Sequence, residues 1–402
     1  MDDRAAPAMS IGICTHSVNP RGGVVHALEL AHALHDDGHK VTLIVPAAAG
    51  EQLFRLVRCE LERISVPAHA NSVVDMADTR INAIFEHLAR TGAGSRFDVL
   101  HSQDSISGNA LAQLVERGYA RGFIRTVHHL DRFTDARLTA WQSRGFGAAE
   151  RVLCVSRLWR DRLRSQHGIE ATVVNNGVDT DRFSARADSR DATVAQRLGI
   201  GAGPVILAVG GVEARKNTIA LLQAFIDLRK HAPEAQLVIA GGASLLDHGD
   251  CHNFFRQVLA KSNLSVGPGQ AVTLTGALPD QDMPALYRLA TVLAMVSLRE
   301  GFGLAALEAL ASGRPVVASR IAPFTEYLHD RVCVWADPQD PQSIARALKQ
   351  AIANVEALPY PRAAAMLLRR FSWRTSARQH AAIYRRFIAR RSDIRFRNVT
   401  AA

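Results

Sequence analysis

Residues 11–45, IGICTHSVNPRGGVVHALELAHALHDDGHKVTLIV, decide the fold. Ile11 to Thr15 reads as a buried strand, and a loop with Arg21, Gly22 and Gly23 follows. Val25, Leu28, Ala31 and Leu34 then recur at helical spacing up to Gly38, and Val41 to Val45 is the next strand. Strand, glycine loop, helix, strand is a parallel βαβ unit. The same order returns in the second half. There Val205 to Val209 is the strand and Gly210 and Gly211 the turn. Asn217 is expected as N-cap, Leu221, Leu222, Phe225 and Leu228 form the buried helix face, and Leu237 to Ala240 is the following strand. Two such starts imply an α/β protein of two Rossmann-like, doubly wound parallel-sheet domains. The length of 402 residues agrees, since one core seldom serves more than about 250 to 300 residues.

Between the two starts, Asn175-Asn176-Gly177-Val178-Asp179 is turn-forming, and the polar stretch from Ser184 to Arg197 is expected to be the connection. This gives a first domain over 1–186, a second over 187–371, and a closing helix over 372–402. The helix has Ala377, Ala381, Tyr384 and Ile388 on one side and arginines elsewhere. Val272 to Leu274, Val292 to Val296 and Pro315 to Ala318 are expected as central strands of the second sheet.

The formal charge of +10 comes from 48 Lys and Arg against 38 Asp and Glu. Residues 361–402 hold eleven Arg and one Asp, so residues 1–360 are balanced at 37 basic and 37 acidic groups. A nucleic-acid partner loses its support, because the body has no net positive charge to pair with phosphates. The tail reads either as a solvated helix face or as a basic patch for peripheral contact with an anionic membrane. Five scattered cysteines without a C-x2-C pair support neither a disulfide framework nor a zinc site. With no apolar run long enough to span a bilayer, a soluble, cytoplasmic protein is expected.

Open parallel sheets bind ligands beyond the carboxyl ends of their strands, so the strand-to-helix loops are where chemistry is expected. The densest is Ser297-Leu298-Arg299-Glu300-Gly301-Phe302-Gly303-Leu304-Ala305-Ala306-Leu307-Glu308, which runs from a strand through a glycine turn into a helix. Gly301 and Gly303 allow close backbone approach, and the new helix offers free N–H groups to an anion such as a diphosphate. Eight residues of helix rise about 12 Å. That exceeds the roughly 5 to 9.5 Å between a glycosidase's carboxylates. Glu300 and Glu308 therefore suit two ends of one long ligand. Alternatively, they are an exposed acid and a dipole-favoured acid in a first turn.

Gly210-Gly211-Val212-Glu213-Ala214-Arg215-Lys216-Asn217 occupies a corresponding loop, where Arg215 and Lys216 could hold phosphate oxygens; Lys216 is one of only five lysines. In the first half, Gly22 and Gly23 open a helix, and His16, His26, His101, His128 and His129 sit at strand ends or loops without metal-ligand spacing. Asp179-Thr180-Asp181 could be a metal-binding Asp-x-Asp motif but reads more simply as a turn. No Gly-x-Gly-x-x-Gly follows either first strand, and the second strands end in Pro46 and Gly241 rather than an acid, so a dinucleotide oxidoreductase is disfavoured.

Taken in order, several features resemble glycosyltransferase family 4 over nearly the whole chain. They are the Gly22-Gly23 loop, Phe97-Asp98-Val99-Leu100-His101, Thr126-Val127-His128, Ser156, Asn176-Gly177-Val178-Asp179 with Phe183, Gly210 to Lys216, Glu300-x7-Glu308 and Trp373. The resemblance implies a GT-B fold, with two domains facing a deep interdomain cleft and a last helix crossing back to the first domain. It also implies a retaining, metal-independent enzyme with no required cofactor, using a nucleotide-diphosphate sugar whose base (UDP, GDP or ADP) is open. The acceptor would be a small molecule or a lipid-linked hydroxyl. In that scheme Glu300 contacts donor-sugar hydroxyls and Glu308 the ribose. Phe302, Gly303 and Leu304 offer backbone N–H groups, and Lys216 binds the diphosphate. His128 lies against the donor sugar, and Gly22 and Gly23 close over the phosphates from the other domain. Where the family usually has Gly-Arg-Leu, this chain reads Gly210-Gly211-Val212. Arg215 is the candidate to replace the missing Arg beside Gly211. A non-catalytic nucleotide-sugar-binding protein and a GT-B nucleotide-sugar epimerase are the alternatives.

Overall fold

The computed structural model describes residues 7–242, 249–355 and 361–399. The chain folds as two compact units: unit 1 runs up to Asn176 and resumes at Trp373, and unit 2 is Gly177–Ser372.

Unit 1 carries a seven-stranded, wholly parallel sheet. Its strands are β1 (Ser10–Cys14), β2 (Lys40–Ala47), β3 (Glu60–Ser65), β4 (Val99–Ser102), β5 (Ile124–Val127), β6 (Arg151–Cys154) and β7 (Ala171–Val173), in the order β3-β2-β1-β4-β5-β6-β7. Unit 2 carries a six-stranded parallel sheet of β8 (Val205–Val209), β9 (Gln236–Ala240), β10 (Val272–Gly276), β11 (Val292–Met295), β12 (Val316–Ser319) and β13 (Cys333–Ala336), in the order β10-β9-β8-β11-β12-β13. Each is a doubly wound sheet whose strand order reverses once, between β1 and β4 and between β8 and β11. Ligands of such sheets bind at these reversal points, beyond the strands' carboxyl ends.

Sequence pattern explains the layering. Strands covered by helices on both faces need continuous apolar runs, and Ile11, Ile13 and Cys14 in β1 and Ile206 and Leu207 in β8 are fully enclosed. In unit 2 the helix Thr218–Arg229 lays Leu221, Leu222, Phe225 and Leu228 on this core. Each enclosed Leu or Phe stabilises the fold by about 1.5–3 kcal/mol. One expected central strand is not central: among the described residues β10 lies at the sheet edge, and its Leu274 is exposed.

The units part at Asn176 and Ser372 rather than at 186 and 371, because the chain after Gly177 is already built into unit 2. The Val178 N–H donates to Phe371 O at 2.9 Å, and Arg182 pairs with Asp280 at 2.6 Å. The Phe183 ring meets Tyr287 edge-on at 5.6 Å. Nor is Ser184 to Arg197 a plain connection. Ser189–Leu198 is a helix, N-capped by Asp188 and ended at left-handed Gly199, and its Asp191 accepts from the buried Arg288 guanidinium.

The closing helix, Trp373–Val399, belongs to unit 1, where it packs on the helix Gly22–Asp36. Trp373, Ala377, Ala381, Tyr384 and Phe387 are buried, while Ile388 is half-exposed. Residues 400–402 lie outside the described residues. None of the five cysteines is in a disulfide. Among the described residues no helix is long and apolar enough to cross a membrane.

Candidate active site

At the unit 2 reversal point, two strand-to-helix loops are laced together. The loop after β8 runs from Gly210 to Asn217, and the loop after β11 runs from Val296 to Gly303. The Leu298 N–H donates to Arg215 O at 2.9 Å, and the Asn217 side-chain amide donates to Val296 O at 3.1 Å and Pro338 O at 2.7 Å. Asn217 was expected to cap the next helix. It stands at the cap position, but in a left-handed conformation, and its side chain ties the loops instead of capping. Gly210, at φ +129°, leaves the space that the Lys216 stem fills, since a Cβ there would lie 2.5 Å from Lys216 Cε. Gly211, at φ +75°, has its open face 3.1 Å from Gly242 O. A side chain at 211 would therefore be strained, which fits the absence of an Arg from this position.

The lacing brings Arg215 and Lys216 onto one acid. Lys216 Nζ lies 2.6 Å from Glu300 Oε1, which also accepts from Ser297 Oγ at 2.9 Å. Arg215 Nη1 lies 3.2 Å from Glu300 Oε2, and its Nη2 lies 3.2 Å from Glu213 Oε2. Glu300 is only 6% exposed. Burial alone would push its carboxyl up, but Lys216 and then Arg215 overcome that and hold it down at about 2. It is a buried carboxylate with a cation on each oxygen.

Next to it the helix Leu304–Ala311 begins. Gly303 has φ +95°, and a Cβ there would sit 2.5 Å from Phe324 Cε1, so both backbone and space require glycine. The Phe302 ring turns into the core and stacks on Tyr327 at 4.8 Å. The Tyr327 hydroxyl donates to Phe302 O at 2.9 Å. With the carbonyl held inward, the N–H groups of Phe302, Gly303 and Leu304 have no acceptor among the described residues. They form an anion-favouring helix start. One turn on, Glu308 Oε2 accepts from the Tyr287 hydroxyl at 2.6 Å. Burial first, and then the neighbouring Glu308, push the Tyr287 pKa up and keep that hydroxyl a donor.

The remaining expected residues are in unit 1. Gly22 and Gly23 start the helix Gly22–Asp36, which has no side-chain cap, and the N–H groups of Gly22, Gly23 and Val24 have no acceptor among the described residues. A Cβ on Gly23 would lie 3.3 Å from His128 Cδ2. The His128 Nε2 bonds Gln103 Oε1 at 3.0 Å, and its ring meets His26 edge-on at 4.6 Å. Behind them, His101 bonds Tyr384 at 2.6 Å and Thr126 at 2.8 Å, and His380 bonds Ser376 O at 2.9 Å. Burial lowers the pKa of all four histidines, to about 3 for His26 and about 4 for His380. His128 thus offers a neutral imidazole.

The expected residues fall into two groups. Lys216, Arg215, Gly211, Glu300, Phe302, Gly303, Leu304 and Glu308 gather at the unit 2 reversal point, and Gly22, Gly23 and His128 gather in unit 1. Among the described residues no group of three or more His, Cys, Asp or Glu side chains is placed to hold a metal ion. Asp179 Oδ1 accepts from the Asp181 and Arg182 N–H groups and so shapes a turn. Sequence reading missed Ser297 and Tyr287 as partners of the two glutamates. Ser297 lies inside the motif and was within reach, whereas Tyr287 comes from another helix and carries no local signal.

A family model described as Glycosyltransferase Family 4 matches residues 20–182, and one described as Glycosyl transferases group 1 matches residues 191–365. The chain is 32% identical over 244 residues to the GDP-mannose-dependent alpha-(1-6)-phosphatidylinositol monomannoside mannosyltransferase of Mycolicibacterium smegmatis. That match covers 56% of this chain and spans only 60% of that protein's length. It is 28% identical over 390 residues to the phosphatidyl-myo-inositol mannosyltransferase of Mycobacterium tuberculosis, covering 94% of this chain and 96% of that one. Among solved structures, sucrose-phosphate synthase from Thermosynechococcus elongatus superposes with a TM-score of 0.76 at 19% identity, over 95% of this chain and 99% of that one.

Proposed function

Since the chain belongs to glycosyltransferase family 4 and has the GT-B fold, we propose that it moves a hexose from a nucleoside diphosphate sugar to an acceptor hydroxyl with retention of configuration. The observation that carries this reading is the convergence of Lys216 and Arg215 on Glu300 beside the open N–H groups of Phe302, Gly303 and Leu304.

A diphosphate is a concentrated anion. Lys216 meets it as a point charge, Arg215 as a planar fork, and the helix start as a set of aligned dipoles. Arg215 supplies the charge that the family carries at the position of Gly211. As the phosphates draw the cations away, the Glu300 oxygens become acceptors for donor-sugar hydroxyls. Glu308, steadied by Tyr287, receives the ribose hydroxyls. Within unit 1, His128 presents an uncharged hydrogen-bonding face and Gly22 and Gly23 an open helix start.

The bond between the anomeric carbon and the phosphate oxygen breaks, and the bond to the acceptor oxygen forms on the same face. The departing phosphate takes the acceptor's proton. Fixed charges aimed at a developing negative charge lower the barrier without reorganisation, and they stand in for a metal ion. GDP-mannose is the lead donor and an inositol-bearing lipid the lead acceptor, after the two mannosyltransferases. The exposed arginines 374, 378, 385, 386 and 390 on the last helix would rest on anionic lipid.

The test is incubation with GDP-mannose, UDP-glucose or ADP-glucose in EDTA, with phosphatidylinositol presented in anionic or neutral vesicles. Product mass and anomeric configuration are the readouts. Transfer from one donor with retention, faster on anionic vesicles, is expected. An inverted product, or activity that returns only with magnesium or manganese, would overturn the mechanism. Donor binding without transfer or donor hydrolysis would favour a non-catalytic binder.

A further inference from the structure

The reversal point of the unit 1 sheet holds a second arrangement that the donor chemistry does not use. The loop after β1 carries His16, and the loop after β4 carries Asp104. Backbone bonds fix both loops: the Thr15 N–H donates to Ile44 O at 3.1 Å, and the Gln103 N–H to Cys14 O at 2.9 Å. His16 Nδ1 lies 3.2 Å from Asp104 Oδ2, in charge contact but not in hydrogen-bond alignment, and neither enclosed atom has a hydrogen-bond partner among the described residues. The other oxygen, Asp104 Oδ1, accepts the Ser107 N–H at 2.8 Å and caps the helix Ser105–Glu116. Arg80 donates to His16 O at 2.8 Å and pins the backbone.

Asp104 is a carboxylate. Burial pushes its carboxyl up, but His16, the enclosed Arg125 and the Ser107 N–H hold it at about 2. A carboxylate can only accept, so at 3.2 Å Asp104 favours an imidazole N–H on the Nδ1 of His16. Nε2, which has no partner among the described residues, is then left with its lone pair outward. A carboxylate-fixed imidazole at the reversal point of a doubly wound sheet is suited to receiving a ligand hydroxyl.

We propose that His16 is an acceptor-binding residue, whose Nε2 accepts a hydrogen bond from a hydroxyl of a sugar or cyclitol beside the hydroxyl that is glycosylated. Asp104 is its positioning residue. The reacting hydroxyl keeps its own proton for the departing phosphate, so the inference rests on the transferase reading without altering its chemistry.

Asp104→Asn separates this role from a structural one. Asn caps a helix about as well as Asp, so Oδ1 still serves Ser107. Its amide N–H₂, however, would face His16 Nδ1 and drive the proton to Nε2, turning the acceptor into a donor. Imidazole nitrogen NMR on the full chain should show His16 protonated at Nδ1 in the wild type and at Nε2 in the variant. The wild-type signal should shift on adding methyl α-D-mannopyranoside or myo-inositol. In the transfer assay, His16→Ala and Asp104→Asn should each raise the acceptor KM about tenfold, the loss of one hydrogen bond, with donor KM unchanged. A wild-type proton on Nε2, no shift with either polyol, or an unchanged acceptor KM in both variants would overturn the proposal. A protein that transfers no sugar, yet shows the Nδ1 proton and the polyol shift, would sink the transferase reading and leave the polyol site standing.

Discussion

Between β8 and β11 the loops bring two cations onto one buried carboxylate, whereas between β1 and β4 they bring one carboxylate onto one imidazole, with four neutral histidines packed nearby. The two sheets share a topology and reverse strand order at equivalent places. The side chains supplied there differ in what they can exchange. Lys216 and Arg215 are held by Glu300, but an incoming anion can take them over, because each interaction is electrostatic and each cation has donors to spare. His16 and its neighbours offer lone pairs and single N–H groups in fixed directions, which suits uncharged hydroxyls. On the proposed reading, a common scaffold separates recognition of charge from recognition of polyol by the residues at two loops.

The largest expected effect tests the charged half. Lys216→Ala should lower kcat/KM by about 10³-fold and Arg215→Ala by about 10²-fold, the range for losing one preorganised charge. Steady-state kinetics with the accepted donor is the check. An Arg215→Ala enzyme with wild-type kcat/KM would break the idea that Arg215 fills in for the Arg missing at Gly211, and would leave Lys216 and the helix start to carry the diphosphate.

How much of this was legible depends on range. The two sheets and the block from Ser297 to Glu308 were readable, because a parallel strand needs a continuous apolar run and a helix start needs its glycine, both local demands. The edge position of β10 was not readable. Val272 to Leu274 is as apolar as a central strand, and only the order of pairing, a long-range property, exposes Leu274. The helical state of Ser189–Leu198 was hidden by polar composition; its stability comes from the Asp188 cap and from Arg288, about a hundred residues away in the sequence. Tyr287 and Asp104 were missed for the same reason, since each meets its partner only in the fold.

The contrast also predicts that acid weakens the two units in different ranges. His26 and His380 have folded pKa values of about 3 and 4, below the ordinary 6.5. The unfolded chain therefore takes up protons that the fold refuses. The contribution of these two histidines to unit 1 is fully present above pH 6.5 and is lost at up to ~1.4 kcal/mol per pH unit for each histidine as the pH falls towards 4. Glu300 works lower. Its carboxyl is held at about 2 against an ordinary 4.5, so its contribution is intact above pH 4.5 and is lost on the way down to 2. Asp104 shares that lower range in unit 1. At pH 5, hydrogen exchange should accelerate in Gly22–Asp36 and Trp373–Val399 while β8, β11 and Leu304–Ala311 keep their protection. Uniform loss across both units would show that the histidine cluster is not what sets acid sensitivity.

The smallest effect sharpens the charged half at its far end. Tyr287→Phe removes the hydroxyl that donates to Glu308 Oε2 at 2.6 Å but keeps the ring that meets Phe183 edge-on at 5.6 Å. The core packing should hold, with a stability loss of about 1.5–3 kcal/mol from one hydrogen bond to a charged group. Glu308 then loses the hydroxyl that holds its Oε2, and a ribose would meet a less firmly directed carboxylate. The donor KM should rise about three- to tenfold, with kcat and the acceptor KM unchanged, because the ribose end contributes binding rather than stabilisation of the breaking bond. A fall in kcat with donor KM unaltered would place Glu308 with the reacting centre instead, and the division of labour along the Glu300 to Glu308 block would have to be reversed.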